Sequence, residues 1–395
     1  MSRPRSGTLI VKTDIALDVM LRDQLRYLAT TPLAPVRTAS DDTGRVDRIR
    51  EREGIDMHVL PLERDPAPLN DLRSLVRLVR LMRRLRPYRV VYGTPKATLL
   101  AGIAARVCRV PVRIQVLHCL RLETTTGVFR RFLLETERLA LRLATHTVAV
   151  SVGLRDRLGE LGVDVSGIDV IGKGSVVGVD GARARRIGAD RSLRTSQRER
   201  LRAAEDEVVV GFVGRVTRDK GIEELVRAVG ALRERGVAAR LALIGPDEGA
   251  EHLAVDVRAA LDAPWVTRTG NLSDPAEVFA AFDVFCLPSH REGLPTVVLE
   301  AWATGIPVVA TSCTGIADLV QDGSTGLLVE TGDDRALAEA LQRVLDDAAL
   351  RDRICRAARA EVDEHFDRPG VWERCARYFL DARPRQRART GGSDR

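Results

Sequence analysis

Residues 289–305 read SHREGLPTVVLEAWATG. Two glutamates, Glu292 and Glu300, stand eight residues apart in this stretch. The first lies in a turn with Gly293 and Pro295, and the second is set inside an apolar run. VFCLPS (284–289) precedes it and reads as a buried strand. Pro295 suits the first position of a helix whose apolar face is Leu294, Val297, Val298 and Ala301. Gly293, Leu294 and Pro295 then occupy a strand-to-helix turn, where free amides and the helix dipole attract anions. Glu300 falls near the second turn of a helix with little polar surface, so it needs partners or its pKa rises. A ribose diol, which donates two hydrogen bonds to one carboxylate, is one such partner; a structural arginine is another. Glu292 either reaches past a bound anion or is a solvated loop residue.

Residues 211–229, GFVGRVTRDKGIEELVRAV, repeat the strand–turn–helix plan. A buried strand ends at Gly214, followed by Arg215, a polar turn, Lys220 and a helix. Two cations five residues apart at the end of a strand suit a diphosphate. They also suit two surface positions in a loop. Neither the Walker spacing nor G-x-G-x-x-G is present, so neither a P-loop nor an ordinary dinucleotide fingerprint is indicated.

Outward from these segments, short β-branched runs alternate with amphipathic ones, the pattern of α/β units around parallel sheets. TLIVKT, DMHVLPL, RVVYGT, VRIQVLH, HTVAVS and IDVIGKGS form one series of strands, with helices over 72–85 and 128–144. VVVGFVG, ARLALIG, WVTRTG, VFCLPS, PVVATS and GLLVE form a second. The expected division is a first domain over 1–185, a charged linker over 186–206 and a second domain over 207–370. A helix over 371–383 returns to the first domain, and a disordered tail spans 384–395. Two doubly wound domains in tandem leave a cleft where the carboxyl ends of their strands meet, the place where such sheets bind ligands.

The 395 residues suffice for two such cores, with 45% hydrophobic and 30% charged residues. No apolar run approaches the roughly 20 residues of a membrane span, and the N-terminus lacks a signal peptide's apolar segment, so the cytoplasm is expected. Six cysteines form no CxxC pair and, with six scattered histidines, no metal-ligand spacing. The net charge of +7 is carried almost entirely by arginine; Lys12, Lys96, Lys173 and Lys220 are the four lysines. With 4% aromatics and none interleaved among the basic residues, nucleic-acid binding is disfavoured.

GRVTRDKGIEEL (214–225) and PSHREGLPTVVLEAWATGIPVVAT (288–311) together resemble the retaining glycosyltransferases of family four, which have the GT-B fold. GTPKATLLAGIAARVCRVPVRIQVLHCLRLETTTG (93–127) and GKGSVVGVD (172–180) extend the likeness to the bacterial branch that builds capsule, O-antigen and lipid-linked glycans. Glu292 and Glu300 match the family's E-x7-E pair, and Arg215 and Lys220 its Arg/Lys pair. The resemblance implies that Glu300 holds a ribose and that Arg215 and Lys220 hold the donor diphosphate, beside Gly214. Glu292, with the amides of Gly293 and Leu294 next to Pro295, meets the donor sugar and phosphates. His118 matches a histidine near the donor sugar; the other reading is a satisfied buried histidine. Lys96 and Lys173 bind an acceptor phosphate or pair with carboxylates.

The expected reaction transfers a hexose or N-acetylhexosamine from a UDP-sugar to a hydroxyl of a lipid-linked or other acceptor. Configuration is retained, and no metal or cofactor takes part. The acceptor class includes polyprenyl-diphosphate-linked sugars, with peripheral contact to anionic membrane. Tailoring of a secondary metabolite and sugar-nucleotide 2-epimerisation on the same fold are the alternatives; a glycosidase would have no use for Arg215 and Lys220. Three positions depart from the family pattern: Cys119 and Val177 replace a common glycine and asparagine, and VKTDIALDVMLRDQL (11–25) lacks the double glycine. The helix over 72–89, with seven arginines around an apolar stripe, either rests on membrane or packs on the sheet, and FRRFLLETERLALRL (129–143) poses the same choice.

Overall fold

Two β-sheets, each parallel throughout, form the frame of the molecule. The computed structural model describes residues 5–61, 68–272 and 274–384. The first sheet holds β1 (Thr8–Val11), β2 (Val36–Ser40), β3 (Asp56–Val59), β4 (Arg89–Tyr92), β5 (Val112–Leu117), β6 (His146–Ala149) and β7 (Ile168–Val170) in the order β3-β2-β1-β4-β5-β6-β7. The second holds β8 (Val208–Val213), β9 (Ala239–Ile244), β10 (Val266–Arg268), β11 (Val284–Leu287), β12 (Val308–Thr311) and β13 (Leu327–Val329) in the order β10-β9-β8-β11-β12-β13. Both orders run outward in each direction from the first strand, the doubly wound arrangement. β8 and β11 are apolar throughout because helices cover both faces, and nearly every residue of each is buried.

The strand β2 is absent from the sequence reading. VRTAS has one large apolar residue, and its polar Thr38 and Ser40 are buried through small side chains, so no alternation marks it. The other twelve strands coincide with expected runs.

The segment 186–206, read from its composition as the connection between domains, is mostly helical. Gly181–Ala189 and Arg191–Arg200 are helices, and both belong to the second domain. The first packs closely on the helix Thr296–Thr304, where a Cβ on Gly188 would run into the Thr304 carbonyl oxygen. The second is tied down by Arg194 and Arg198, whose guanidinium groups lie 2.6 and 3.1 Å from the Asp283 carboxylate. Charge suggested a solvated linker, but Arg194 and Arg198 instead fasten the segment to Asp283. The chain instead crosses between domains near Val179 and returns near Phe366. The crossings are hydrogen-bonded to each other, Val179 N to Phe366 O at 2.9 Å and Arg368 N to Val179 O at 3.0 Å.

After the return, the helix Arg368–Asp381 buries Val371, Cys375, Ala376 and Phe379 in the first domain's core, and Trp372 Nε1 donates to Val177 O at 2.8 Å. Of the expected tail, residues 385–395 lie outside the described residues. The helix Pro68–Leu85 sets Leu78, Leu81 and Met82 into the core beside Val90, Tyr92 and Ala101, so its central stripe packs on the fold. Among the described residues, no helix is long and apolar enough to cross a membrane.

Candidate active site

The carboxyl ends of β8 and β11 face those of β5 and β6 across a narrow seam. β8 is followed by Gly214, whose backbone lies so close to Gly245 that a Cβ on Gly245 would meet the Gly214 carbonyl oxygen. Arg215 follows, its guanidinium 3.6 Å from both Asp219 and Glu248. A 3₁₀ turn over Arg218–Lys220 ends at Gly221, which has a φ of +71° and starts the helix Ile222–Glu234. No other residue fits there: the backbone is left-handed, and a Cβ would strike the Pro288 carbonyl oxygen.

That close approach carries Lys220 to the end of β11. Its Nζ lies 2.5 Å from Glu292 Oε1, and Ser289 Oγ donates to the same carboxylate oxygen at 2.8 Å. Asp219 accepts from Thr217 Oγ1 at 2.6 Å and from Arg291 at 3.0 Å. Burial works against the Asp219 carboxylate, but the Thr217 hydrogen bond and the cations Arg291, Arg215 and Lys220 hold it below the usual carboxylate range. Asp219 therefore organises the cations, and neither it, Arg291 nor Ser289 stood out in the sequence.

Gly293 presses against the other domain, since a Cβ on it would collide with the His118 carbonyl oxygen. Leu294 packs into the cores of both domains. Pro295, expected at the first helical position, precedes it instead. With φ −76° and ψ 107° it is extended and acts as the cap, and the helix begins at Thr296. The amides of Gly293 and Leu294 donate to no acceptor among the described residues, so they stand free at this helix start.

One turn along, Glu300 lies in a recess, and its carboxylate has no hydrogen bond or ion pair among the described residues. Burial pushes it up to about 7; Arg368 and Arg183 pull it down at longer range, while Asp274 opposes them. The alternative of a direct arginine partner is therefore not what the fold supplies.

His118, at the end of β5, forms a hydrogen bond of 2.5 Å between its Nε2 and Lys12 Nζ. Burial, and then the charge of Lys12, hold the imidazole well below its ordinary pKa. The sequence signal for Lys12 is faint: a lysine directly after a mostly apolar strand, in a chain with four lysines. Lys173 pairs with Glu361 at 2.9 Å, the carboxylate pairing among the two readings left open for it. The side chain of Lys96 lies outside the described residues; its backbone begins the helix Pro95–Val107. The seam is held by Thr314 Oγ1 donating to Glu123 at 2.8 Å and Gly153 N donating to Asp318 at 2.6 Å. Among the described residues, no group of three or more His, Cys, Asp or Glu stands together as a metal site.

Comparison with known proteins bears on this geometry. Residues 20–174 match the model described as glycosyl transferase 4-like domain, and residues 207–347 match glycosyl transferases group 1. The capsular polysaccharide biosynthesis glycosyltransferase CapM of Staphylococcus aureus is 32% identical over 357 residues, 90% of this chain and 91% of CapM. A D-inositol 3-phosphate glycosyltransferase of Nocardioides is 34% identical over 212 residues, 49% of this chain and 45% of its own length. Among solved structures, Anabaena HepE in complex with UDP and glucose superposes with a TM-score of 0.79 at 20% identity, covering 95% of this chain and all of HepE. With each half matched by its own domain model and a relative aligned almost end to end, the chain belongs to glycosyltransferase family four and has the GT-B fold.

Proposed function

We propose that the protein moves a hexose or N-acetylhexosamine from a UDP-sugar to a hydroxyl of a lipid-linked or other glycan acceptor, with retention of configuration. The observation that carries this reading is the Lys220–Glu292 pair beside the amides of Gly293 and Leu294, one turn ahead of Glu300, the amides and the Glu300 carboxylate having no partner among the described residues. Glu300 receives the ribose hydroxyls. Arg215, Lys220 and the two amides receive the diphosphate. As the anomeric C–O bond breaks, negative charge grows on the leaving diphosphate, and cations and amides already in place stabilise it without reorganising. The acceptor hydroxyl forms the new bond and its proton passes to the leaving phosphate. Arg215 and Lys220 supply the charge that a divalent ion supplies elsewhere, so no metal is needed. HepE, which shares the fold, was solved with UDP and glucose, and CapM serves capsule synthesis; both favour the UDP-sugar and glycan assignment.

The helix Gly127–Leu143 favours a lipid-linked acceptor. Its first turns expose Val128 at 84%, Phe129 at 50% and Phe132 at 63%, beside Arg130 and Arg131, a short distance along the chain from His118. Apolar rings flanked by arginines suit the surface of an anionic membrane.

The test is nucleotide release from a panel of UDP- and GDP-sugars, with membrane lipid extract as acceptor source, with and without chelator, beside Glu292→Ala. Release from one UDP-sugar, unaffected by chelator and lost in the variant, is expected. Release that persists in Glu292→Ala, or a product formed without acceptor, would contradict the transferase reading; the latter outcome points to the epimerase.

A further inference from the structure

Lys12 directly follows β1, an interior strand of the first sheet, and is 2% exposed. Its amide continues the ladder to Ala39 O at 3.2 Å, and its side chain runs to His118 Nε2. No carboxylate pairs with it among the described residues. A lysine placed so is costly, because removing an ammonium from water without a counter-charge weakens the fold. Burial accordingly lowers its pKa to about 7. An apolar residue of the same length would serve packing better, so the amine answers to something other than stability.

What it touches is the imidazole of His118, the residue whose backbone carbonyl lies against Gly293. Resting on the transferase reading above, we infer that Lys12 is a positioning residue for sugar transfer: it donates to Nε2 of His118, holds the ring as the Nδ1–H tautomer, and leaves that N–H as the donor offered to the substrate. A neutral imidazole has one donor and one acceptor nitrogen, and whatever engages the acceptor selects the tautomer. Nδ1 has no partner among the described residues and is not among the sealed, unpartnered atoms. Gly93 packs against the same residue: a Cβ there would strike the Val116 carbonyl oxygen and lie 3.1 Å from His118 Nε2. His118 therefore serves the site through Nδ1 only while Lys12 occupies Nε2.

The experiment compares wild type, Lys12→Met, His118→Asn and the double variant, with uniformly ¹⁵N-labelled histidine for the tautomer and, for turnover, the donor found by the release panel with membrane lipid extract as acceptor source. Wild type should show His118 protonated on Nδ1, its resonance identified by its loss in His118→Asn. Lys12→Met should fold with an equal or higher Tm, shift His118 toward Nε2–H, and lower kcat roughly 10- to 100-fold while UDP affinity holds. The double variant should be no slower than His118→Asn alone, since both changes remove one function. An unchanged His118 tautomer in Lys12→Met, or an unchanged kcat, overturns the inference. A wild type that releases nucleotide from no sugar of the full panel, with membrane lipid extract as acceptor source, undoes the transferase reading instead, and the tautomer measurement still decides the role of Lys12.

Discussion

Lys220 and Glu292 arrive at the site from the loops that follow the neighbouring strands β8 and β11 and meet with 2.5 Å between Nζ and Oε1. Lys220 is 17% exposed and Glu292 13%, so each largely neutralises the other in a place where neither would be tolerated alone. A diphosphate that draws Lys220 to itself leaves Glu292 with only the Ser289 hydroxyl. Lys220→Ala should then do two things at once. It strands a poorly solvated carboxylate, lowering stability by about 1–3 kcal/mol, and it weakens UDP binding by roughly tenfold or more. Adding Glu292→Gln should restore the Tm but not the affinity. Thermal melts and calorimetric titration with UDP read the two effects separately, and undiminished UDP affinity in Lys220→Ala would remove the diphosphate assignment.

Glu292→Gln keeps the shape of the turn and the Ser289 contact while deleting the charge. Turnover should fall about 100-fold or more, with UDP affinity changed only a few-fold, because the loss is felt as charge develops in the transition state. Steady-state kinetics on the donor identified by the release panel checks the split between kcat and binding.

Glu300 couples the site to pH. Its carboxyl titrates near 7 in the folded protein against an ordinary 4.5, so the folded state keeps a proton that the unfolded chain has lost. The sign follows directly: Glu300 weakens the fold above pH 7, and that cost fades as pH falls toward 4.5. Glu300→Gln should therefore be more stable than wild type at pH 8, by on the order of 2 kcal/mol, and no more stable at pH 4.5. Denaturant melts at the two pH values measure this, and an equal gain at both would show that burial of the charge is not the cause.

Gly293→Ala tests the seam. A methyl group there would overlap the His118 carbonyl oxygen, a backbone atom that can only move with its domain. Each half should remain folded, with little change in circular dichroism, while the radius of gyration grows and transfer falls below about one hundredth. Small-angle scattering that matches wild type would mean the contact is not needed to hold the halves together.

Asp283→Ala tests the helical connection. It removes the acceptor shared by Arg194, Arg198 and the Val209 amide, the last at 2.8 Å. Arg198 is nearly buried, so its charge would be stranded, and a loss of about 3 kcal/mol is expected. Limited proteolysis should begin to cut within residues 186–206, which wild type should resist.

Much of the site was legible because it is local. Glu292 and Glu300 share one strand–turn–helix unit, as do Arg215 and Lys220, and local chemistry places each on the carboxyl edge of its strand. The unseen parts involve partners far apart in the chain. Lys220 and Glu292 are 72 positions apart, and Lys12 and His118 are 106 apart. Asp219 and Arg291 read as ordinary loop charges until the close approach at Gly221 brings their loops together.

Two doubly wound domains, their strand series and the residues at the strand ends follow from sequence alone, because hydrophobic period and turn chemistry act over a few residues. Tertiary structure decided the rest. It drew the charged segment 186–206 into helices on the second domain, buried VRTAS as a strand, seated Lys12 on His118, and left the Glu300 carboxylate without a partner among the described residues. Each depends on which polar groups find one another once water is excluded, and that energy belongs to pairs the chain order keeps apart.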